Sequence, residues 1–212
     1  MKVELSDLYK ITKQDLKYVL QLIERAFINW SLAVAIEPDE EIRRTKAHYF
    51  HRLSIKNSLK FRKAYAPTPK IEGVIMWVHS NYYEISLWQL IKNGALKALY
   101  KLGTKTIKKA AICMEFAEKI KANVMKEPHY HLTWLGVEPE LQRKGYGTKL
   151  MNAMLQEISR EGMKCFVDTQ ERENVDYYKQ FGFKLILEDK FPNVDVNHWG
   201  LLWEPDGLKE TF

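Results

Sequence analysis

Cysteine is scarce in this sequence and long apolar runs are absent, and each absence excludes a class of protein. The two cysteines, Cys113 and Cys165, lie far apart among 212 residues, so they form neither a disulfide framework nor a spaced set of metal ligands. No apolar stretch approaches the roughly 18 residues that cross a bilayer. The charged start, MKVELSDLYK, lacks the apolar core of a signal peptide. We therefore expect a cytoplasmic protein with no metal and no membrane partner.

Internal repeats and low-complexity tracts are also missing. Hydrophobic residues make up 46% and charged residues 28% of the sequence, which is ordinary for a globular protein. A chain of this length can bury one sizeable core. We therefore expect a single domain over residues 1–212.

Acidic residues are scarce in one segment, and that segment accounts for the net charge of +6. Between Lys92 and Lys126 there are nine lysines and only two acids, Glu115 and Glu118, so the rest of the chain is close to neutral. The segment has no arginine and no loop in which aromatic and basic residues interleave. A solvated lysine face on a helix therefore explains the charge better than a nucleic-acid or membrane surface, which ranks second.

Hydrophobic periodicity predicts strands and helices along the whole chain. Strands are predicted around Leu8 to Ile11 and in LKFRKAYA, IEGVIMWVH, HYHLTWLGV, KCFVDTQ, GFKLILED and NHWGLLWE. Helices are predicted after the cap signal TKQD, in PDEEIRRTKAHYFHRL, over about 83–125 with a break at Gly94 or Gly103, after Gly147, and in NVDYYKQF. The order in the second half implies a mixed sheet with at least one parallel crossover.

The stretch HLTWLGVEPELQRKGYGTKL joins a strand to a helix through a turn that contains Gly145 and Gly147. Glycine lets a ligand approach the main chain, and the first N–H groups of a helix point outward at the positive end of its dipole. The turn therefore suits a phosphate or pyrophosphate. A dinucleotide fingerprint would need glycine where Leu150 stands, and GTKL does not supply the Gly-Lys-Ser/Thr of a Walker loop.

QRKGYG, from Gln142 to Gly147, resembles the Q/R-x-x-G-x-G/A signature of the GNAT superfamily of N-acetyltransferases. LTWLGVEPELQ resembles the fourth strand of that family, and NVDYYKQFGFKL its N-x-x-x-Y-x-x-x-G-F segment. The closing FPNVDVNHWGLLWEP and a helical insert resemble the puromycin-acetyltransferase-like branch. The resemblance implies an α/β (α+β) fold with a mixed sheet of about seven strands, splayed between strands 4 and 5 and flanked by helices. The insert would span about 81–126, between strands 3 and 4.

The resemblance implies an enzyme that transfers the acetyl group of acetyl-CoA, its cosubstrate, directly to a primary amine. A small-molecule amine is the preferred acceptor, and no nucleic acid or metal is expected. Two alternatives stay open: a protein or peptide amine as acceptor, and a non-catalytic sensor that binds acyl-CoA. A homodimer also stays open.

The resemblance carries over to individual residues on both sides of the turn. Backbone groups of Leu135 and Val137 would pair with the pantetheine arm, the turn would hold the pyrophosphate, and Asn174 would contact the cofactor near its sulfur-bearing arm. The full cofactor-binding set is Leu135, Val137, Gln142, Arg143, Lys144, Gly145, Gly147, Thr148 and Asn174. Tyr178 matches the tyrosine that can protonate the leaving thiolate, with a core aromatic as the alternative.

The resemblance points to His131 as the residue that would deprotonate the amine. His131 stands six residues before Val137, where histone-acetylating relatives carry a glutamate, and an unperturbed imidazole titrates near neutral pH. His131 is thus either the base or a packed histidine. His129 is a weaker candidate for a proton relay. The acceptor pocket could draw on five tryptophans, each of which core packing explains better: Trp77, Trp88, Trp134, Trp199 and Trp203.

Overall fold

The computed structural model describes residues 3–61, 63–82 and 95–205. Its strands are β1 (Tyr9–Lys10), β2 (Lys63–Ala66), β3 (Gly73–His79), β4 (His129–Val137), β5 (Lys164–Thr169), β6 (Lys184–Lys190) and β7 (Asn197–Trp203). Its helices are α1 (Leu16–Ala26), α2 (Ser31–Ile36), α3 (Glu40–Phe61), α4 (Ala95–Leu102), α5 (Thr104–Val124), α6 (Tyr146–Arg160) and α7 (Arg172–Lys179).

The seven strands form one mixed sheet in the order β1-β2-β3-β4-β5-β7-β6. β4 and β5 are parallel, and the other neighbours are antiparallel. The parallel pair is joined by α6, which is the predicted crossover. The predicted mixed sheet of about seven strands, flanked by helices, is therefore confirmed.

α1 begins where the sequence predicts a capped helix. Thr12 Oγ1 accepts from Gln14 N at 3.3 Å, and Asp15 Oδ2 accepts from Thr12 N at 2.8 Å; this reciprocal pair satisfies donors at the start of the helical segment. The helix buries one face completely against a cluster formed with α3, β2 and β3. That face consists of Val19, Leu20, Leu22 and Ile23.

α6 covers the opposite face of the sheet. Ile75 and Trp77 of β3 pack in its cluster, whereas Val74 and Met76 pack in the cluster of α1. Alternate residues of a strand point to opposite faces, so the sheet lies between two helical layers. The stripe predicted for α6 is buried, with Leu150, Met151, Met154, Leu155 and Ile158 all in the first cluster.

The described part of the predicted insert consists of α4 and α5, which meet at Gly103. Gly103 has a φ of 77°, so the predicted break falls there. Most lysines of the segment are exposed, as a solvated helix face predicts: Lys97, Lys101, Lys105, Lys108, Lys119 and Lys126. Lys121 is an exception, because it is buried and lies 2.6 Å from Glu118. Among the residues that the structure describes, no helix is long and apolar enough to cross a membrane.

Three details differ from the sequence-based expectations or lie beyond the structure. α2 was not predicted, and its run SLAVAI starts without a side-chain cap. The first strand is only two residues long, Tyr9–Lys10, rather than reaching from Leu8 to Ile11. The part of the predicted helix over 83–94, which includes Trp88 and Gly94, lies outside the described residues.

Candidate active site

The two central strands of the sheet part after a short stretch of pairing. β4 and β5 pair over four residues, and the last pair is Leu132 with Val167. Beyond it β4 continues to Val137 alongside β3, and β5 continues alongside β7. The predicted splay is therefore present. Leu135 and Val137 lie on the part of β4 that has no β5 partner in the ladder.

The turn after β4 contains two residues in the left-handed backbone region. Arg143 has a φ of 61° and Gly145 a φ of 84°, a conformation that a side chain disfavours and glycine adopts freely. α6 begins at Tyr146, and Lys149 N donates to Gly145 O at 2.9 Å. The N–H groups before Lys149 have no carbonyl within the helix to bind. They are main-chain donors at the positive helix end, as an anion site requires.

Side chains anchor this turn from two directions. Gln142 Nε2 donates to Val137 O at 3.3 Å, which ties the turn to the end of β4. Arg25 of α1 donates to the two carboxylate oxygens of Glu138 at 2.9 and 2.5 Å. Three other residues of the predicted cofactor-binding set are exposed: Arg143, Lys144 and Thr148.

Gly147, in the first turn of α6, makes room for a tyrosine of α7. A Cβ atom at position 147 would lie 2.9 Å from the hydroxyl oxygen of Tyr177, closer than a methyl group tolerates. The missing side chain therefore lets α6 and α7 approach each other beside the turn. Gly147 has this packing role in addition to the predicted contact with a phosphate.

α7 brings Asn174 and Tyr178 to the ends of the splayed strands. Asn174 Nδ2 donates to Thr169 Oγ1 at 3.2 Å, at the last residue of β5. Tyr178 is buried among core residues, with its ring centroid 5.6 Å from that of Tyr177 and 5.7 Å from that of Phe183. Burial raises the pKa of Tyr178 well above its ordinary value, and Tyr177 and Asp168 nearby raise it further. The phenol is therefore protonated at neutral pH.

A row of polar side chains lies on the sheet face opposite to α6. His131 pairs with Phe166 between β4 and β5, and Asp168 pairs with Gly200 between β5 and β7. Paired residues, and residues two apart on one strand, lie on the same face of the sheet. His131 Nε2 lies 2.7 Å from Asp168 Oδ1, and His198 Nε2 lies 3.9 Å from Asp168 Oδ2. His129 is on the same face, but its Nδ1 lies 2.8 Å from Glu127 O, away from this group.

A hydrogen-bond chain fixes the orientation of His198. Trp30 Nε1, which can only donate, donates to Gln170 Oε1 at 3.0 Å. The amide nitrogen of Gln170 then faces His198 Nδ1 at 2.7 Å and donates to it. In the neutral ring the proton is therefore on Nε2, which is the nitrogen nearer to Asp168.

Burial and charge act in opposite directions on Asp168. Burial alone would raise the pKa of its carboxyl group, but the hydrogen bond from His131 and the nearby His131, His198 and Lys121 hold that pKa well below the usual range. Burial lowers the pKa of His198, and the negative charge of Asp168 partly offsets this decrease. Burial also lowers the pKa of His129. Asp168 is consequently ionised at neutral pH.

The site includes residues that were not predicted from the sequence: Trp30, Asp168, Gln170 and His198. One signal did exist, because Asp168 interrupts the apolar strand KCFVDTQ. The predicted residues fall into two groups on opposite sides of the splay: the turn, Asn174 and Tyr178 on the α6 side, and His131 on the other. The four described tryptophans of the predicted set, at 77, 134, 199 and 203, pack in or against the core clusters, as core packing predicts.

A third apolar cluster closes one side of the polar row. It joins Leu32 of α2, Cys113 of α5, and Phe191 and Val196 from the connection between β6 and β7. The rings of Phe191 and His198 have centroids 5.0 Å apart, so this cluster borders the row directly. The helices α2 and α5 contribute to this cluster and thus form a wall beside His198.

Comparison with known proteins agrees with this geometry. Residues 106–183, which contain β4, the turn, α6, β5 and α7, match the model of the acetyltransferase (GNAT) family. Over 117 residues the chain is 26% identical to an uncharacterized N-acetyltransferase of Schizosaccharomyces pombe; the alignment covers 52% of this chain and 47% of that protein. The chain therefore spans about half the length of the curated relative that it matches.

Solved structures match over nearly the whole chain. A histone acetyltransferase HPA2 and related acetyltransferase from Corynebacterium glutamicum gives a TM-score of 0.63 at 13% identity, with 97% of both chains covered. A polyamine N-acetyltransferase of Drosophila melanogaster gives 0.54 at 12% identity, with 93% of this chain and 98% of that chain covered. At such identities the likeness shows the fold, which is the GNAT fold. The family match falls on the part of that fold that contains the turn and the splayed strands.

Proposed function

We propose that this protein is an acetyl-CoA-dependent N-acetyltransferase that acts on a primary amine of a small molecule. One observation carries the proposal: the splay between β4 and β5 opens beside the positive end of α6, at the turn that contains Gly145. An extended arm and an anionic group can therefore be held at neighbouring places, one by a strand edge and the other by main-chain N–H groups.

The residues present fit acetyl-CoA. The edge of β4 at Leu135 and Val137 lacks a β5 partner in the ladder and offers main-chain groups to the pantetheine arm. The N–H groups from Tyr146 onward offer donors to the pyrophosphate, and exposed Arg143 and Lys144 add positive charge. When bound, acetyl-CoA supplies an acetyl group activated as a thioester.

Tyr178 is proposed as the acid that protonates the leaving thiolate. The raised pKa of its phenol keeps the hydroxyl protonated at neutral pH and makes it a weaker acid, so donation to the thiolate depends on positioning and not on acidity. Tyr178 also packs among Tyr177 and Phe183, so its position is fixed by the core. Both roles are compatible, because a proton donor has to be held in place to be effective.

The wall formed by α2 and α5 favours a small acceptor. The cluster around Leu32, Phe191 and Val196 is buried and borders the polar row at His198. A long peptide would have to avoid this wall, whereas a small amine would not. The similar structures include proteins named for histone and for polyamine acetylation, so a peptide amine is the acceptor to compare in the test. The puromycin-acetyltransferase-like branch stays a prediction, supported by α4 and α5 in the insert.

The test measures acetyl-CoA binding by calorimetry and thiol release with a panel of small amines and lysine-containing peptides. We expect binding, and turnover with small amines above turnover with peptides. Tyr178→Phe should lower the maximal rate by about 100- to 10,000-fold, since general acid catalysis contributes on this scale, with acetyl-CoA affinity little changed. Tyr18→Phe removes a hydroxyl from an exposed position on α1 and serves as the matched control. No binding of acetyl-CoA would refute the proposed function, and a wild-type rate in Tyr178→Phe would remove Tyr178 from its role.

A further inference from the structure

The polar row contains one charged group that is partly open to solvent. The side chain of Asp168 is 26% exposed, whereas that of His131 is 10% and that of His198 is 1% exposed. Nε2 of His131 is already engaged by the carboxylate at 2.7 Å. A molecule that enters this side of the splay therefore meets the carboxylate of Asp168, with the two imidazoles behind it.

Asp168 has spare capacity to accept hydrogen bonds. Each carboxylate oxygen can accept about two. Oδ1 accepts from His131, but Oδ2 lies 3.9 Å from His198 Nε2, which is beyond hydrogen-bond distance. Oδ2 can therefore accept from a donor on a ligand without displacing either histidine.

The position of Asp168 is at the point where the strands separate. It directly follows Val167, the last residue of β5 that pairs with β4. Its charge is surrounded by His131 of β4, His198 of β7 and Lys121 of α5, with Tyr178 of α7 also near. Lys121 itself lies 2.6 Å from Glu118, so its positive charge is partly balanced by a second carboxylate.

We propose that Asp168 is the residue that binds the acceptor, through an ion pair with a protonated aliphatic amine. The proposal rests on the proposed function and narrows its substrate class to small cationic amines. His131 is then a positioning residue, since it orients the carboxylate from behind, and His198 is held beside it by Gln170 and Trp30. His131, which the sequence predicts as the base, thus orients Asp168 in this arrangement and does not contact the acceptor.

Two isomeric probes separate recognition of charge from recognition of shape. 2-Phenylethylamine is protonated at pH 7, and 4-ethylaniline has the same atoms but is neutral there, because the aromatic ring withdraws the nitrogen lone pair. Their binding to the protein saturated with coenzyme A is measured by calorimetry, so the readout does not depend on turnover. Wild type is expected to bind 2-phenylethylamine at least about tenfold more tightly, the scale of one charge-assisted hydrogen bond.

Asp168→Asn removes the charge and keeps an oxygen that can accept from His131. We expect affinity for 2-phenylethylamine to fall about 10- to 100-fold, with binding of 4-ethylaniline and of acetyl-CoA unchanged. Asp168→Glu should restore part of the lost affinity. Asp176→Asn, at an exposed position of α7, controls for the loss of one negative charge. Melting temperatures of all variants report whether each is folded.

The outcomes separate this proposal from the proposed function. Equal affinity of wild type for the two isomers, or full affinity for 2-phenylethylamine in folded Asp168→Asn, would overturn the role of Asp168. Equal affinity of wild type for the two isomers would overturn the proposal even if the variant does not fold. Absence of acetyl-CoA binding would instead refute the proposed function itself.

Discussion

Gly147 and Tyr177 meet at the junction of α6 and α7, and a side chain at position 147 requires a change at position 177. The hydroxyl oxygen of Tyr177 occupies the space that a side chain at position 147 would need, at 2.9 Å from the expected Cβ. The next atom of the tyrosine ring would be 3.8 Å away, an ordinary contact distance. The conflict therefore involves a single oxygen atom.

Gly147→Ala is expected to lower the free energy of unfolding of the ligand-free protein by about 1–3 kcal/mol, as overpacking does in a closely packed region. Tyr177→Phe removes the conflicting oxygen, so the double variant should recover most of the loss. Urea denaturation of the two single variants and the double variant gives the coupling energy as a double-mutant cycle. Simple additivity of the two changes would show that the contact does not limit position 147.

At the residue scale the turn was predictable because its signal is local. Gly145 and Gly147 are two residues apart in QRKGYG, and a few neighbouring residues determine their surroundings. Asp168, His131 and His198 come from three strands, and they meet only because β7 inserts between β5 and β6 in the sheet. No short stretch of sequence contains that order, so this group could not be predicted in the same way.

The turn between β4 and α6 depends on the backbone conformation of Gly145. Its φ is 84°, and a Cβ there would meet nothing within 4 Å. The cost of a side chain at this position is therefore one of backbone conformation and not of packing. Substitutions at Gly145 therefore measure the cost of backbone conformation without a cost of packing.

Gly145→Ala is expected to cost about 1–2 kcal/mol of folding free energy, the penalty of a left-handed conformation for a residue with a Cβ. Gly145→Asn should cost less, since asparagine adopts this region more readily. Chemical denaturation measures both values, and acetyl-CoA titration should show weaker binding in the order glycine, asparagine, alanine. Equal costs for the two variants would mean that the turn rearranges and that its φ is not constrained.

At the element scale most helices and strands followed from periodicity and caps. α1 begins after the predicted Thr12 cap, and the buried stripe of α6 is the one expected. α2 was missed because SLAVAI is a short apolar run with no cap, and its position depends on tertiary contacts. Ser31 N donates to Glu171 Oε1 at 2.7 Å, a partner far away in the sequence.

The whole molecule should lose stability in mild acid. His51 of α3 is buried, its pKa is lowered by burial to about 4 from an ordinary 6.5, and its Nδ1 has no hydrogen-bond partner within the described residues. The unfolded chain therefore binds a proton at this histidine over a pH range in which the folded protein does not. The free energy of unfolding has its full value above pH 6.5 and falls as the pH drops towards 4.

His51→Leu should weaken the pH dependence of the free energy of unfolding. It removes a buried histidine that lowers this free energy by roughly 3 kcal/mol as the pH falls from 6.5 to 4. A residual slope is expected from His129 and His198, whose pKa values are also lowered by burial. Asp168, with its depressed pKa, adds a further loss at lower pH. Urea midpoints across this range measure the slope, and an unchanged slope in His51→Leu would contradict the assignment.

The short ladder between β4 and β5 divides the sheet into two half-sheets, β1 to β4 and β5 to β7. Only four residue pairs join them directly. α6 is the second connection, since its buried side packs in one cluster with Leu132 of the first half and Val167 of the second. α6, whose first turn forms the proposed anion site, thus also connects the two half-sheets across the boundary between β4 and β5. A ligand that stabilises the first turn of α6 is therefore expected also to stabilise the connection between the two half-sheets.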